Sequence, residues 1–152
     1  MDTRTAPTRL RLARVRDALH ALGVDAVWLP SSDPHLSEYL PGRWQTRQWL
    51  SGFTGSAGTL AVTADAAALF ADSRYWQQAE RELQGSGIDL VKLGADAATA
   101  HADWLAAHVP AGGTVGVDGA VLGHRGAHLR QLGGARDGGL GRQVLEHQSV
   151  GE

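Results

Sequence analysis

The apolar residues of this chain switch repeatedly between helical and strand spacing, and this alternation limits the folds that it can adopt. Near the N-terminus they recur every three or four positions, at Leu12, Val15, Leu19 and Leu22. With Thr8 as N-cap and Gly23 as C-cap, this spacing predicts a helix over 9–22 with one buried face. The apolar run 24–29, which Pro30 ends, predicts a strand.

The middle of the chain predicts a β-hairpin followed by a helix. Two apolar runs, 59–63 and 67–71, flank a short turn at Ala64-Asp65 and read as paired strands. The next segment predicts a helix over 74–84, which a glycine-rich turn ends. Further strands are predicted at 88–93 and 114–117, and further helices at 99–108, with Trp104 and Leu105 facing inward, and at 120–131.

This order predicts an α/β fold: a mixed β-sheet with one hairpin, flanked by helices, in a single domain. The length of 152 residues suits one domain, which we expect over 1–132. From position 133 onward glycine is dense and apolar residues are sparse. We therefore expect 133–152 to be a weakly structured tail.

Composition excludes several kinds of site and partner. The chain has no cysteine, which excludes disulfides, thiolate zinc ligands and a thiol nucleophile. Its formal net charge of -2 offers no basic excess, so no nucleic-acid partner is expected. No apolar run approaches the ~20 residues of a membrane span, and residues 1–9 lack the apolar core of a signal peptide. A cytoplasmic protein without membrane association is the expectation.

Several catalytic patterns are incomplete. The glycines at 52, 55 and 58 precede a strand and not a helix, which argues against a phosphate loop and favours a tight turn. His124 and His128 share a predicted helix face, but the glutamate of H-E-x-x-H and a third ligand are missing, so solvated histidines are favoured over a metal site. Ser56 lacks the glycine two residues before it that a nucleophile elbow requires.

Two charged groups have ordinary explanations as well. Asp33, His35 and Glu38 lie in the turn-rich segment 30–41, where capping and turn roles are favoured for Asp33. Four arginines crowd the first predicted helix, and a solvated face is the favoured interpretation: Arg9, Arg11, Arg14 and Arg16.

The segment Asp72-Ser73-Arg74-Tyr75-Trp76 is the most informative, because it closes a strand and opens a helix. A guanidinium at an element end can donate a fork of N–H groups to a carboxylate or carbonyl, and two aromatic rings can wall an apolar pocket. Alternatively, Arg74 pairs locally with Asp72 or Glu80 and the aromatic rings belong to the core. The residues alone leave both interpretations open.

Three segments in this order resemble the N-terminal domain of Xaa-Pro aminopeptidases (aminopeptidase P), closest to the cytosolic type, in the creatinase and prolidase group. They are Pro30-Ser31-Ser32-Asp33-Pro34-His35-Leu36-Ser37-Glu38-Tyr39, Ser51-Gly52-Phe53-Thr54-Gly55-Ser56-Ala57-Gly58-Thr59 and Asp72-Ser73-Arg74-Tyr75-Trp76-Gln77-Gln78-Ala79. Gly116-Val117-Asp118 also fits the pattern. The resemblance covers about residues 8–132, and the tail from Gly133 departs from it.

The resemblance implies a mixed sheet flanked by helices and a domain without catalytic residues or metal ligands. In this family, a later "pita-bread" domain supplies two Asp, one His and two Glu to a pair of divalent metals, commonly manganese, which activate water for attack on the bond before proline. That domain is absent from this sequence, so the chain alone is expected to be inactive.

The resemblance also implies partners. The family's N-terminal domain helps to pair subunits, so a homodimer or higher assembly is expected, and the five tryptophans leave room for an apolar interface. Its Asp-x-Arg-Tyr arginine contacts the bound peptide, which carries proline second, and corresponds to Arg74 here. A guanidinium with that role at the end of a strand is expected to be at least partly exposed and not buried in a closed ion pair. No role is assigned to Tyr75 or Trp76. The alternative is a stand-alone binding or dimerisation module without peptidase activity.

Overall fold

Helices and strands alternate along the chain as the sequence predicted, in a computed structural model that describes residues 5–30, 46–95 and 97–117 and the backbone of 144–146. The helices are α1 (Ala6–Leu22), α2 (Thr46–Ser51), α3 (Trp76–Leu83) and α4 (Ala100–His108). The strands are β1 (Ala26–Pro30), β2 (Thr59–Thr63), β3 (Ala67–Asp72), β4 (Asp89–Leu93), β5 (Val115–Val117) and β6 (Val144–Glu146). None of the described helices is long and apolar enough to cross a membrane.

The described strands form one mixed sheet in the order β4-β3-β2-β1-β5-β6. β2 pairs antiparallel with both β1 and β3, whereas β3 with β4, β1 with β5 and β5 with β6 are parallel. The tight turn between β2 and β3 makes the predicted hairpin, and the crossover through α3 brings β4 back parallel to β3. The predicted mixed α/β sheet is thus confirmed.

Helices cover both faces of the sheet. Successive side chains of a strand point to opposite faces, so each strand contributes to two separate cores. One face packs against α1, α2 and α3 through a core that includes Leu12, Leu50, Phe53, Leu60, Leu69 and Leu83. The opposite face packs against α4 through a second core that includes Trp28, Ala61, Phe70 and Leu105. Among the described residues the fold therefore has three layers, with the sheet in the middle.

The ends of α1 differ in part from the prediction. The helix begins three residues earlier than expected, because Pro7 fits the first turn, and Thr8 is a buried helical residue and not the N-cap. Gly23 ends the helix in the left-handed region as expected, with φ of 65°. Leu22 is 68% exposed, so it does not belong to the buried face. It lies about 60° around the helix from Leu19, at the margin of the buried stripe.

The arginines of α1 do not form the simple solvated face that the sequence favoured. Three of them reach backbone carbonyls of other segments: Arg9 Nε donates to Gly85 (2.7 Å), Arg11 Nη1 to Trp49 (2.6 Å) and Arg16 Nε to Thr63 (3.0 Å). Arg14 is exposed. Long side chains can bury their stems along the protein while the charged ends satisfy carbonyls at turns and helix ends, so these arginines tie α1 to its neighbours.

Two further predictions fall on residues that the structure does not describe. The segment 30–41 beyond Pro30 and the helix predicted at 120–131, with His124 and His128, lie outside the described residues. The expected tail contributes the backbone of β6, parallel to β5, and the rest of 133–152 also lies outside. Helix α2 was not predicted at all.

The loop that connects α2 to β2, here called the glycine loop (residues 52–58), is held from the inside by Arg47. This arginine of α2 is only 4% exposed. Its Nη2 donates to the Gly55 carbonyl at 2.6 Å, and its Nη1 donates to the Phe53 carbonyl at 3.3 Å. Its guanidinium also lies 5.0 Å from the centre of the Phe53 ring. On its inner side, the carbonyls of the loop backbone are therefore held by the Arg47 side chain.

Phe53 fills the space beneath the glycine loop and dictates the residue at position 55. The Phe53 side chain is fully buried. A Cβ atom on Gly55 would lie only 2.2 Å from Cζ of this ring. Gly55 therefore has to be a glycine for steric reasons, since no real Cβ contact is that short.

The same loop is held from the outside by Glu82 of α3. One carboxylate oxygen accepts a hydrogen bond from the Thr54 N–H (2.8 Å), and the other accepts from the Thr54 hydroxyl (2.7 Å) and from Gln78 Nε2 (3.2 Å). Partial burial alone would raise the pKa of Glu82, but the hydrogen bonds from Thr54 and Gln78 outweigh it and lower the pKa below its usual value.

We predict that Gly55→Ala destabilises the chain by about 1–3 kcal/mol, because the new methyl group must displace a buried ring. Urea denaturation followed by circular dichroism measures the loss. Gly94→Ala is the matched control, since a Cβ at Gly94 meets nothing within 4 Å. Equal midpoints for the two variants would contradict the packing described for Phe53.

We predict that Glu82→Gln lowers the free energy of unfolding by about 1 kcal/mol at neutral pH, because one amide oxygen cannot replace both carboxylate oxygens. A carboxyl group with a lowered folded pKa stabilises the fold above its unfolded pKa and loses that effect as the pH falls through the folded value. The difference between the two proteins should therefore shrink as the pH falls below 4.5, the ordinary pKa of this group.

Glu80→Gln provides the control for this pH dependence, measured as thermal unfolding of each variant across the acidic range. Glu80 lies on the same helix and contacts Lys92 in an exposed ion pair (2.6 Å). Exposed pairs of this kind contribute little, so this variant should follow the unmodified chain at every pH. A pH-independent loss in Glu82→Gln would show that ionisation of Glu82 is not what stabilises the loop.

Candidate functional site

The sheet topology brings the ends of three strands, and with them the informative sequence segments, to one edge. Pro30, the last residue of β1, pairs with Thr59, the first residue of β2. Thr59 in turn pairs with Phe70 near the end of β3. We call this end of the central strands the motif edge, although it is not an outer strand of the sheet. It consists of the glycine loop, Asp72 and residues 73–75. Segments far apart in the sequence therefore meet because β2 runs antiparallel to both of its neighbours.

Arg74 projects from the motif edge, in the turn between β3 and α3. Its side chain is 68% exposed, which confirms the exposure that the sequence predicted. It is also paired with Asp72, the alternative that the sequence left open. Nε donates to Oδ1 at 2.9 Å and Nη2 donates to Oδ2 at 2.9 Å, and the Arg74 backbone N–H reaches Oδ1 at 3.1 Å. The pair is thus bidentate and open to solvent.

This pairing determines the ionisation of both groups. Hydrogen bonds from the Arg74 side chain are the main cause that holds the pKa of Asp72 below its usual value. The carboxylate in turn raises the pKa of Arg74. At neutral pH the motif edge therefore presents a charged but mutually neutralised pair, and two of the five guanidinium N–H donors are occupied by Asp72.

Tyr75 lies between the exposed arginine and the core. The Arg74 guanidinium lies 5.2 Å from the centre of its ring. On the inner side the Phe53 ring meets it edge to face, with centroids 6.0 Å apart. Its hydroxyl shares a 2.6 Å hydrogen bond with the hydroxyl of Ser56 in the glycine loop. Tyr75 thus connects the fixed loop to the turn that carries Arg74.

Ser56 and Trp76 have structural contacts in the described residues. The Ser56 hydroxyl shares its hydrogen bond with the Tyr75 phenol. Trp76 Nε1 donates to the Ala71 carbonyl at 2.9 Å, so its ring covers the end of β3. No pocket walled by both aromatic rings follows from these contacts.

Arg47 is the residue at this edge that sequence reasoning missed. Burial lowers its pKa to about 10, although Tyr75 and Glu82 act in the opposite direction. The guanidinium therefore remains charged at neutral pH, inside the protein. A signal existed in the sequence: Arg47, Leu50 and Ser51 have the three- and four-residue spacing of a buried helix face. The exposed Trp49, an aromatic residue, obscured that face.

No metal centre is formed by the described residues. Among positions 5–30, 46–95 and 97–117, no group of three or more His, Asp or Glu side chains could hold a metal ion. Asp33, His35 and Glu38 lie outside these ranges, as does the rest of the first resembling segment after Pro30. The described part of the motif edge presents hydrogen-bond donors and acceptors, among them the side chains of Arg74 and Asp72.

Solved structures share this fold. An X-prolyl aminopeptidase from Caenorhabditis elegans, described as a cytosolic enzyme with a di-nuclear active site, matches with a TM-score of 0.81 and 29% identity. The match covers 94% of this chain and 25% of that one. The N-terminal creatinase/prolidase-like domain of a metallopeptidase from Corynebacterium diphtheriae matches in fold, with a TM-score of 0.62 and 20% identity over 91% of this chain and 97% of that one.

Curated relatives agree with the structural neighbours. Xaa-Pro aminopeptidase 2 of Mus musculus is 40% identical over 111 residues, which are 73% of this chain and 16% of that protein. The Drosophila melanogaster Xaa-Pro aminopeptidase ApepP is 40% identical over 119 residues, 78% of this chain and 19% of that protein. The chain thus spans less than a quarter of the length of either relative. The family model of the Creatinase/Prolidase N-terminal domain matches residues 11–136, and the chain belongs to that family.

Proposed function

We propose that this chain is the N-terminal, non-catalytic part of a metal-dependent Xaa-Pro aminopeptidase, which releases the N-terminal residue that precedes proline, and that Arg74 contacts the peptide. The observation that carries the proposal is the exposed guanidinium of Arg74 at the motif edge, where segments shared with that family meet. Relatives named as Xaa-Pro aminopeptidases support the reaction.

In this proposal the chemistry belongs to a separate catalytic domain. The described residues do not fit a pair of divalent metals, since they contain no suitable group of ligands. Two divalent ions, manganese in our proposal, would be held by that other domain and would activate the attacking water. The role of this chain is then to orient the peptide by hydrogen bonds from a rigid edge, which lowers the entropic cost of reaching the reactive geometry.

The same proposal includes association of subunits in the cytoplasm. Three large apolar side chains are exposed among the described residues, Leu10, Leu22 and Trp49. The resemblance to a family whose N-terminal domain helps to pair subunits supports a homodimer or higher assembly, and these side chains are available to its interface. A stand-alone binding or dimerisation module would associate in the same way without any peptidase activity.

We predict that the purified 152-residue chain, supplied with manganese, releases no N-terminal residue from peptides with proline second, because it lacks a described metal site. Release of free amino acid, measured by mass spectrometry, is the readout. Reading the gene beyond codon 152 is the companion observation. An in-frame continuation with two Asp, one His and two Glu in metal-ligand positions is expected; its absence would favour the stand-alone module.

In the enzyme that carries this chain, Arg74→Ala should lower kcat/KM on peptides of three or more residues by about ten- to a hundred-fold, through loss of one charge-assisted contact. Arg74→Lys should recover only part of this loss, because an ammonium lacks the planar fork. Arg14→Ala is the control: it removes an exposed arginine from α1, which is not part of the motif edge, and it should leave kcat/KM unchanged. Unchanged kcat/KM together with a lower melting temperature for Arg74→Ala would make Arg74 a structural residue.

A further inference from the structure

We propose that Asp72 determines specificity: by neutralising Arg74 it adapts the arginine to bind uncharged peptide carbonyls in preference to a free C-terminal carboxylate. The inference rests on the proposed function, in which Arg74 contacts the peptide. It concerns a different residue, Asp72, which acts on the peptide through Arg74 and does not itself need to touch it.

The first argument is the geometry of the pair. Asp72 accepts hydrogen bonds from Nε–H and Nη2–H of Arg74 at 2.9 Å each. A substrate carboxylate would bind an arginine in this same bidentate arrangement, so Asp72 occupies the position that it would take. The two residues are separated by one position, and the Arg74 backbone N–H donates to the same carboxylate. Both partners of the pair therefore lie at the turn after β3, two positions apart in the sequence.

The second argument is the set of donors that remains. A guanidinium has five N–H groups, and Asp72 takes two, so both N–H groups of Nη1 and one of Nη2 are left. Within the described part of the chain they have no acceptor. These donors can still bind an oxygen atom. A carboxylate placed there would bring a second negative charge to an arginine already paired with Asp72, whereas a peptide carbonyl would bring none.

The third argument is that the arrangement is held in place. Tyr75 supports the guanidinium with its ring, and its hydroxyl is fixed by Ser56 at 2.6 Å. The nearby Glu80 is engaged with Lys92 and so does not compete for the arginine. These contacts restrain the guanidinium of Arg74, and Asp72 sets the net charge that a peptide meets there.

The test compares peptide acids with the corresponding amides in the metal-loaded enzyme that carries this chain. Peptides of three, four and five residues with proline second are each prepared with a free C-terminus and with a C-terminal amide. For the unmodified enzyme we expect higher kcat/KM for the amide at the length that places the terminus at Arg74. Asp72→Asn keeps one acceptor and removes the charge, and should shift the ratio toward the acid by about tenfold, mainly through KM.

Glu80→Gln is the matched control, because it removes the same charge from α3 without touching Arg74, and it should leave the acid-to-amide ratio unchanged. An unchanged ratio in Asp72→Asn at all three lengths overturns the inference about Asp72, even if Arg74→Ala lowers activity as proposed. If Arg74→Ala changes neither acid nor amide turnover, or the gene lacks the metal domain, the proposed peptide contact fails and the inference fails with it. Loss of activity with equal effect on acids and amides would make Asp72 purely structural.

Discussion

A positive charge inside the protein is the constraint on which the motif edge depends. Arg47 stays protonated although burial disfavours its charge, and its desolvation is offset by the carbonyls of Phe53 and Gly55. Those carbonyls belong to a loop that has no ladder of its own. Removing the cation would leave two inward-facing carbonyls without their donors, and the glycine loop would then be held only by its remaining contacts, such as those of Thr54 with Glu82.

The position of Arg74 follows from this anchor through a short series of contacts. Arg47 fixes the loop, the loop places Phe53 and Ser56, and these two residues hold the ring and the hydroxyl of Tyr75. Tyr75 then supports Arg74, and Asp72 neutralises the positive charge of Arg74. Each contact is made between neighbours in space, so a surface residue that is 68% exposed still has a defined direction.

The sequence predicted the elements that have strong local signals. The hairpin, the mixed sheet and the helices α1, α3 and α4 followed from apolar spacing and from turn residues, with ends displaced by a few positions. Gly23 was assigned correctly because a left-handed C-cap is a local property. Exposure of Arg74 was predicted from its place between a strand and a helix.

The parts that were missed depend on side-chain packing and on contacts that the spacing of residues does not specify. Helix α2 has six residues and buries an arginine, so the spacing of its buried positions is a short signal that is easily overlooked. The arginines of α1 looked solvated because their carbonyl partners lie 38 to 76 positions away. The pair formed by Asp72 and Arg74 was visible as a possibility, but the spacing alone could not choose between Asp72 and Glu80 as the partner of Arg74. The glycine requirement at position 55 arises from the position of the Phe53 ring, which the sequence does not specify.

The side chains of the motif edge come from one continuous part of the chain. Every side-chain contact described for it, from Arg47 to Glu82, lies within the stretch that runs from α2 through α3. Contacts of 19 and 28 positions close shorter loops than the 89 positions between Asp25 and Thr114, where β1 meets β5, and so cost less chain entropy. All of these residues leave the ribosome before β5, so the motif edge can assemble during synthesis before the far side of the sheet is complete.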